Sequence, residues 1–221
     1  MARLGVVIPA FRCERTVPDV LASLPDGVPA WVIDDGSPTP LTPPGRPCTT
    51  LLRHPTNRGY GAAQKTGYAA ALAAGVERVV LLHGDAQYDA ADTLALAGAL
   101  ASPRSAALGS RFLLDPAVIP GWRRFGNRAL TAAANLRFGT RHTELHSGAR
   151  AFTAGALRAL PLDRYSDDYL FDQQVLFGLF RAGIPVAERP VRVRYDGTVQ
   201  SISFARSVRY GLGCVGEMLR G

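Results

Sequence analysis

Val79-Val80-Leu81-Leu82-His83-Gly84-Asp85-Ala86-Gln87-Tyr88-Asp89 decides how this chain is read. An apolar run long enough for one buried strand stops abruptly at polar residues. Side chains two apart on a strand point the same way. Extended geometry carried past Leu82 would therefore project His83, Asp85 and Gln87 together from the strand's carboxyl end. Ligands of open α/β sheets bind at that end. A carboxylate flanked by two neutral ligand-capable side chains suits a hard divalent cation that also holds phosphate oxygens. A plainer reading stays open: a strand followed by a polar turn, with Asp85 capping the next helix.

Working outward, strands and helices alternate. Leu4–Ile8 is a strand halted by Pro9, Trp31–Ile33 one cut off by Asp34-Asp35-Gly36-Ser37, and Thr50–Arg53 and Ala106–Gly109 are two more. Between them Thr16–Leu24, Gly61–Ala74 and Ala91–Ala101 carry helical spacing, with Thr16 as a cap. Alternation of this kind predicts an α/β fold with a mostly parallel sheet and right-handed crossovers. The later half is less regular. Trp122–Phe138 reads as a helix with a basic start, Gly148–Thr153 as a strand, and Asp168–Ala182 as an amphipathic helix ended by Gly183. Val186–Tyr195 alternates apolar and charged residues, and Phe204–Leu219 is a last helix. Neither a repeat nor a linker interrupts the chain. One domain over 1–221 is expected.

Composition narrows the function classes. With 221 residues, 47% hydrophobic and 19% charged, the chain is globular and sized for one domain. The net charge is +7, and Lys65 is the only lysine. Arginine's planar fork favours phosphate and carboxylate partners. The arginines form no basic run, which argues against nucleic acid. Cys13, Cys48 and Cys214 have no metal-like spacing, which fits a reducing, cytoplasmic compartment. No signal peptide and no membrane-spanning run are read.

Loops at one edge of the sheet carry the chemistry. Asp34 and Asp35 offer either carboxylates for ribose hydroxyls and base N–H groups or a turn that closes the strand. Asn57-Arg58-Gly59-Tyr60-Gly61 opens a helix with two glycines, allowing close backbone approach and leaving amides for an anion. It lacks P-loop spacing, and no Gly-x-Gly-x-x-Gly follows the first strand.

Taken in order, Val6–Phe11, Ile33–Ser37, Asn57–Gly67 and His83–Asp89 resemble glycosyltransferase family 2, in its dolichol- or polyprenyl-phosphate mannosyltransferase-like branch. Gly109-Ser110-Arg111, Gly126-Asn127-Arg128, His146–Phe152 and Ser166-Asp167-Asp168 continue the resemblance over nearly the whole chain. It implies a GT-A fold, with a nucleotide-binding half (1–110) and an acceptor half (111–221), and inverting transfer from a nucleotide-diphosphate sugar, UDP- or GDP-linked, assisted by Mn²⁺ or Mg²⁺. By matching position, Pro9, Ala10, Phe11, Asp34 and Asp35 would hold base and ribose. Glu14, Gly59, Lys65, Gly84 and Ala86 would belong to the same nucleotide-sugar site, and Arg111 and Arg128 would face the diphosphate. Asp85 would be the metal carboxylate, with Gln87 and His83 as further ligands. His83 stands where the family's first aspartate is usual, and imidazole suits Mg²⁺ poorly, so an ordinary hydrogen-bonding role is open to it as well.

The acceptor side rests on Asp168 and Asp172, four apart and so on one face of a helix. An inverting transfer to a hydroxyl needs a base within reach. Asp172 matches the family's aspartate, with Phe171 replacing a glutamate, and Asp167 is the expected cap. A phosphate acceptor would need no base. The acceptor is therefore a small hydroxyl compound or a lipid phosphate, and absence of an anchor favours the former. The last helix could lie on a membrane surface or pack on the domain. Rival readings are a sugar nucleotidyltransferase, whose glycine-rich loop after the first strand is missing, and a catalytically silent nucleotide-binding module. Oligomeric state is not encoded in any feature of the sequence.

Overall fold

A computed structural model describes residues 3–42, 45–115, 117, 119, 121–194 and 204–220, with 204–206 described by their backbone. The strands are β1 (Leu4–Ala10), β2 (Ala30–Asp34), β3 (Thr49–Arg53), β4 (Arg78–Leu81), β5 (Ala106–Ser110), β6 (Arg150–Thr153) and β7 (Val186–Pro190). They form one sheet in the order β3-β2-β1-β4-β6-β5-β7. All neighbours run parallel except β6, which is antiparallel to both β4 and β5. The helices are α1 (Val17–Ala22), α2 (Tyr60–Ala73), α3 (Ala90–Ala95), α4 (Gly121–Phe138), α5 (Ala154–Arg158), α6 (Phe171–Arg181) and α7 (Phe204–Leu219).

Several boundaries differ from the sequence expectation for physical reasons. β4 ends at Leu81, so extended geometry does not reach His83. α3 is one short turn that tightens into a 3₁₀ turn at Leu96–Ala99. α6 begins at Phe171, because Asp168 and Tyr169 lie in a turn closed by the Phe171 amide on the Asp168 carbonyl (3.0 Å). Asp168 and Asp172 therefore do not share a helix face, and Asp167 is not the cap. Thr16 precedes α1, but its hydroxyl does not cap the helix; it donates to the Gly84 carbonyl (2.6 Å). Tyr195, Ser201–Ser203 and the Phe204 and Arg206 side chains, read above as strand end and helix start, lie outside the described residues.

Alternating side chains of the central strands fill two cores, as strands covered on both faces must. Val6, Ile8, Val32, Val80 and Leu82 pack with α1 on one face. Val7, Ile33, Val79 and Leu81 pack on the other with Ala63, Tyr68 and Ala71 of α2 and with Phe171, Val175 and Leu179 of α6. A third cluster, including Leu108, Ala134, Phe177, Cys214 and Met218, joins α4, α6 and α7. α2 lies close on the sheet because Gly67 faces β1 and β2: a Cβ there would sit 2.7 Å from Ile33 Cδ1 and collide with Val7. Among the described residues no helix is long and apolar enough to cross a membrane.

Gly67→Ala is accordingly expected to destabilise by about 1–3 kcal/mol, since both neighbours are β-branched core residues with little room to yield. Urea denaturation should show a lower midpoint at an unchanged slope.

Candidate active site

The reversal of β6 shapes the site. Leu81 at the exit of β4 pairs with Arg150 at the entry of β6, so the segment before Arg150 meets the loop after β4. That loop turns at once. Ala86 takes a left-handed backbone (φ 58°), and the Gln87 amide donates to Asp85 Oδ1 (3.0 Å). His83, Asp85 and Gln87 are thus not projected side by side from an extended strand. His83 Nε2 shares a 2.8 Å hydrogen bond with the Tyr60 hydroxyl. Its ring meets Tyr88 edge-on (centroids 5.1 Å), and it lies against Gly148, where any Cβ would collide with it. Asp85 Oδ2 has no hydrogen-bond partner among the described residues, which also contain no group of three or more His, Cys, Asp or Glu able to hold a metal. Burial, and then the charge of Asp85, push the nearby Cys13 thiol up.

One carboxylate with a free oxygen is what a Mg²⁺- or Mn²⁺-type site needs from the protein when substrate phosphates complete the shell. The donor set fits such an ion at Asp85, with Gln87 beside it; of the His83 ring, Nε2 is engaged by Tyr60. Pro9, Ala10 and Gly84 are brought together: the Gly84 amide donates to the Pro9 carbonyl (3.2 Å), and a Gly84 Cβ would lie 3.0 Å from that of Ala10. Phe11 is half-buried under the Arg12 guanidinium (5.2 Å). Glu14 is exposed and lines a surface cleft with Leu21, Leu41 and Arg46.

Asp34 and Asp35 build the scaffold. Asp34 is 0% exposed and accepts from the amides of Ser37 (2.9 Å) and Leu41 (3.2 Å) and from the Arg53 guanidinium. Burial raises its pKa, but the Ser37 hydroxyl and amide, the Leu41 amide and Arg53 together outweigh this and hold it below its usual value. Asp35 accepts from the Arg58 (3.0 Å) and Gly59 (2.9 Å) amides and pairs with His54 Nδ1 (2.6 Å). The amides expected to await an anion at the glycine-rich loop are thus satisfied by the protein's own carboxylate. The glycines serve close packing: a Cβ on Gly59 would strike the Asp167 carbonyl, and one on Gly61 would lie 2.7 Å from Phe171 Cβ. Lys65 bonds Asp167 Oδ1 (2.8 Å) and the Tyr165 carbonyl. Gly59 and Lys65 therefore clamp α2 to the acceptor segment.

Arg111, 8% exposed, is held by Glu144. Its Nε lies 2.9 and 3.1 Å from the two Glu144 oxygens, its amide donates to the same carboxylate (2.8 Å), and Asn127 adds a further donor at 2.8 Å. Arg128 is exposed and stacks over Phe112 (5.4 Å). Asp168 is exposed, whereas Asp172 is buried at the start of α6. Asp172 Oδ1 accepts from Gln64 (2.9 Å) and Oδ2 from Tyr60 (3.4 Å), while Arg150 Nε stands 3.9 Å away and Arg150 Nη1 donates to the Asp172 carbonyl (2.7 Å). Tyr60, Gln64, Glu144 and Arg150 were not singled out from sequence. Spacing four apart on α2 was the available signal for Tyr60 and Gln64; Glu144 offered none.

Burial, then Arg150 and Arg111, push His146 down to about 3, and its Nδ1 meets the Tyr210 hydroxyl of α7 (2.9 Å). His146 is thus neutral in the folded state.

A mostly parallel sheet with a lone accessible carboxylate at the exit of β4 and a buried aspartate opposite defines a nucleotide-sugar-transferase architecture of the GT-A type. Residues 5–160 match the family model of glycosyl transferase family 2, so the chain belongs to that family and is a glycosyltransferase. An uncharacterized protein of Methanocaldococcus jannaschii is 28% identical over 196 residues (86% of this chain, 81% of that one). The undecaprenyl-phosphate mannosyltransferase of Micrococcus luteus is 25% identical, over 99% of this chain and 98% of its own. Glucosyl-3-phosphoglycerate synthase from Mycobacterium tuberculosis, solved with Mn²⁺, UDP-glucose and phosphoglyceric acid, shares the fold with a TM-score of 0.67. It is 18% identical, over 99% of this chain and 79% of its own. With Mg²⁺ and UDP the same enzyme gives a TM-score of 0.69 at 19% identity, over 99% and 78%.

Two outcomes follow for the buried charges. Glu144→Ala removes the carboxylate that neutralises the buried Arg111 and is expected to cost about 3–5 kcal/mol in chemical denaturation. Below its ordinary 6.5, His146 is protonated in the unfolded chain but not in the folded one until about 3. Stability should therefore fall as pH drops from 6.5 towards 3, by at most about 1.4 kcal/mol per pH unit. His146→Gln should flatten the Tm profile between pH 6.5 and 5.

Proposed function

We propose that the chain transfers a sugar, with inversion, from a UDP- or GDP-linked donor to an acceptor hydroxyl, with Mn²⁺ or Mg²⁺ held at Asp85. One observation carries this reading. Tyr60 joins His83, two residues before Asp85 in the loop after β4, to Asp172 on α6, so the loop expected to serve the donor and the carboxylate expected to serve the acceptor are neighbours. The solved neighbour with Mn²⁺, UDP-glucose and an acceptor is consistent with it.

Pro9, Ala10, Phe11 and Gly84 form the bed for base and ribose, and Asp34 and Asp35 hold the shape of that bed from behind. Asp85 and Gln87 would hold the cation, aimed by the left-handed turn at Ala86. When bound, the ion supplies positive charge to the donor diphosphate. Arg128, exposed at the same end, adds a guanidinium where charge develops on the leaving nucleoside diphosphate. Arg111 acts at one remove by anchoring Glu144. Asp172 accepts the proton of the attacking hydroxyl as that oxygen bonds to the anomeric carbon and the sugar–phosphate bond breaks. Asp168 is too exposed, and turned too far from α6, to share the task.

A second reading of the acceptor has its own observation. Leu114, Trp122 and Phe125 (77% exposed) lie around the start of α4, and Leu212 (70%) and Leu219 are bare on α7. Arg128 and Arg209 are exposed on the same helices. Such a surface suits a polyprenyl phosphate at a membrane face, in line with the M. luteus relative. A phosphate acceptor is already ionised and needs no base.

Calorimetric titration with UDP and GDP, each with and without Mn²⁺ and Mg²⁺, tests the donor side: one nucleotide should bind, dependent on metal. Asp85→Asn should lower turnover by at least about 100-fold with the fold intact by circular dichroism. Asp172→Asn separates the acceptors, because it abolishes transfer to a hydroxyl and spares transfer to a polyprenyl phosphate.

A further inference from the structure

α4 and α7 lie side by side and run the same way. Arg137 Nε of α4 donates to the Met218 carbonyl of α7 (3.1 Å), and Leu130 lies 3.9 Å from where a Gly211 Cβ would be. Both contacts join residues 81 apart, which is the register of two parallel helices. Their inner faces are buried in the domain, through Thr131 and Ala134 of α4 and Cys214 and Met218 of α7. Their outer faces are apolar and bare. On α4, Trp122, Phe125 and Leu136 (88% exposed) stand in one line, with the exposed Ala129 and Ala132 between them. On α7, Val208, Leu212, Val215 and Leu219 recur every three or four residues and are exposed as well. Contiguous apolar exposure of this kind marks an interaction surface.

Charge frames the ridge. Leu130 and Gly211 mark the sides on which the two helices touch. Arg128 and Arg209 each stand two residues earlier, about 200° round the helix. Both are exposed, and both therefore flank the ridge on its outer edges. No acid faces them from either helix. α4 contains neither Asp nor Glu, and the one acid of α7, Glu217, is buried and engaged by Gln174 and Arg181. A second copy seated here by a twofold axis would bring arginine to arginine with nothing to neutralise it. Anionic headgroups supply that charge, while the acyl boundary takes the apolar ridge. Trp122, at one end, is a side chain that favours the headgroup level.

We infer that the parallel pair α4–α7 is a docking ridge for an anionic lipid bilayer, on which both helices lie flat with Arg128 and Arg209 reaching to the headgroups. Docking of this kind goes beyond the second reading of the acceptor, because it holds the whole protein at the bilayer whichever acceptor is used.

Sedimentation of the full chain with phosphatidylcholine vesicles, with and without phosphatidylglycerol, reads docking with neither donor nor acceptor present. Its outcome is therefore separate from that of the glycosyltransfer reading. Binding is expected to the vesicles that contain phosphatidylglycerol, and it should weaken with added salt. Arg209→Gln should lower it about fivefold. Phe125→Asp and Leu212→Asp should each lower it at least about 10-fold, with circular dichroism unchanged because both side chains are exposed. No binding to anionic vesicles overturns the proposal, as does equal binding to uncharged ones. A dimer in light scattering that Leu212→Asp disperses also overturns it, and gives the face to a second copy. Tryptophan emission of the wild type decides where a variant fails to fold. Of the two tryptophans Trp31 is buried and Trp122 exposed, so anionic vesicles should shift the emission to the blue, and an unmoved spectrum overturns the docking.

Discussion

A carboxylate at the end of β2 supplies what a bound anion supplies at the start of many helices. Asp35 takes the Arg58 and Gly59 amides at the start of α2 and is braced by His54, whose other nitrogen reaches Thr66 (2.9 Å). Helix starts leave amides without intrahelical partners, and negative charge there is favoured twice over, by hydrogen bonding and by the helix dipole. Fixing that end fixes the axis of α2, and α2 carries Tyr60, Gln64 and Lys65, whose side chains hydrogen-bond to the segment 165–172. Asp172, the proposed acceptor carboxylate, is therefore placed by the strand that is expected to serve the donor.

The second support is Glu144, buried against Arg111 and Asn127. Such a pair contributes little net stability, because desolvation offsets most of the attraction. What it contributes is direction: both partners are saturated, and Arg111 also reaches the His146 carbonyl (3.3 Å). The chain before β6 is so held at the site from the far side. Arg150 continues the line to Asp172, and Glu217 ties α7 to α6 through Gln174 (3.2 Å) and Arg181 (3.3 Å).

The fold was largely legible, because runs such as Val79–Leu82 and Trp31–Ile33 can be little else than buried strands. Their lateral order was not. Nothing local in Arg150–Thr153 says that it runs backwards between β4 and β5. At the site, residue types were legible and directions were not. Asp34-Asp35-Gly36-Ser37 was open between a turn and a ribose clamp, and the structure saturates both carboxylates with protein donors. Gly59 and Gly61 could equally have meant an anion or close packing; only the position of Asp167 and Phe171, over a hundred residues on, separates the two. Glu144 was invisible because its meaning depends wholly on Arg111, which is remote in sequence.

The reversed strand also sets how the chain could be recombined. β5 ends the half expected to bind the nucleotide, yet both of its sheet partners, β6 and β7, come from the other half. A chimera of two relatives joined near residue 110 would inherit the β4–β6 seam from two parents, and with it His83 against a foreign Gly148 and Tyr60 against a foreign Asp172. The unit of inheritance here is the whole sheet.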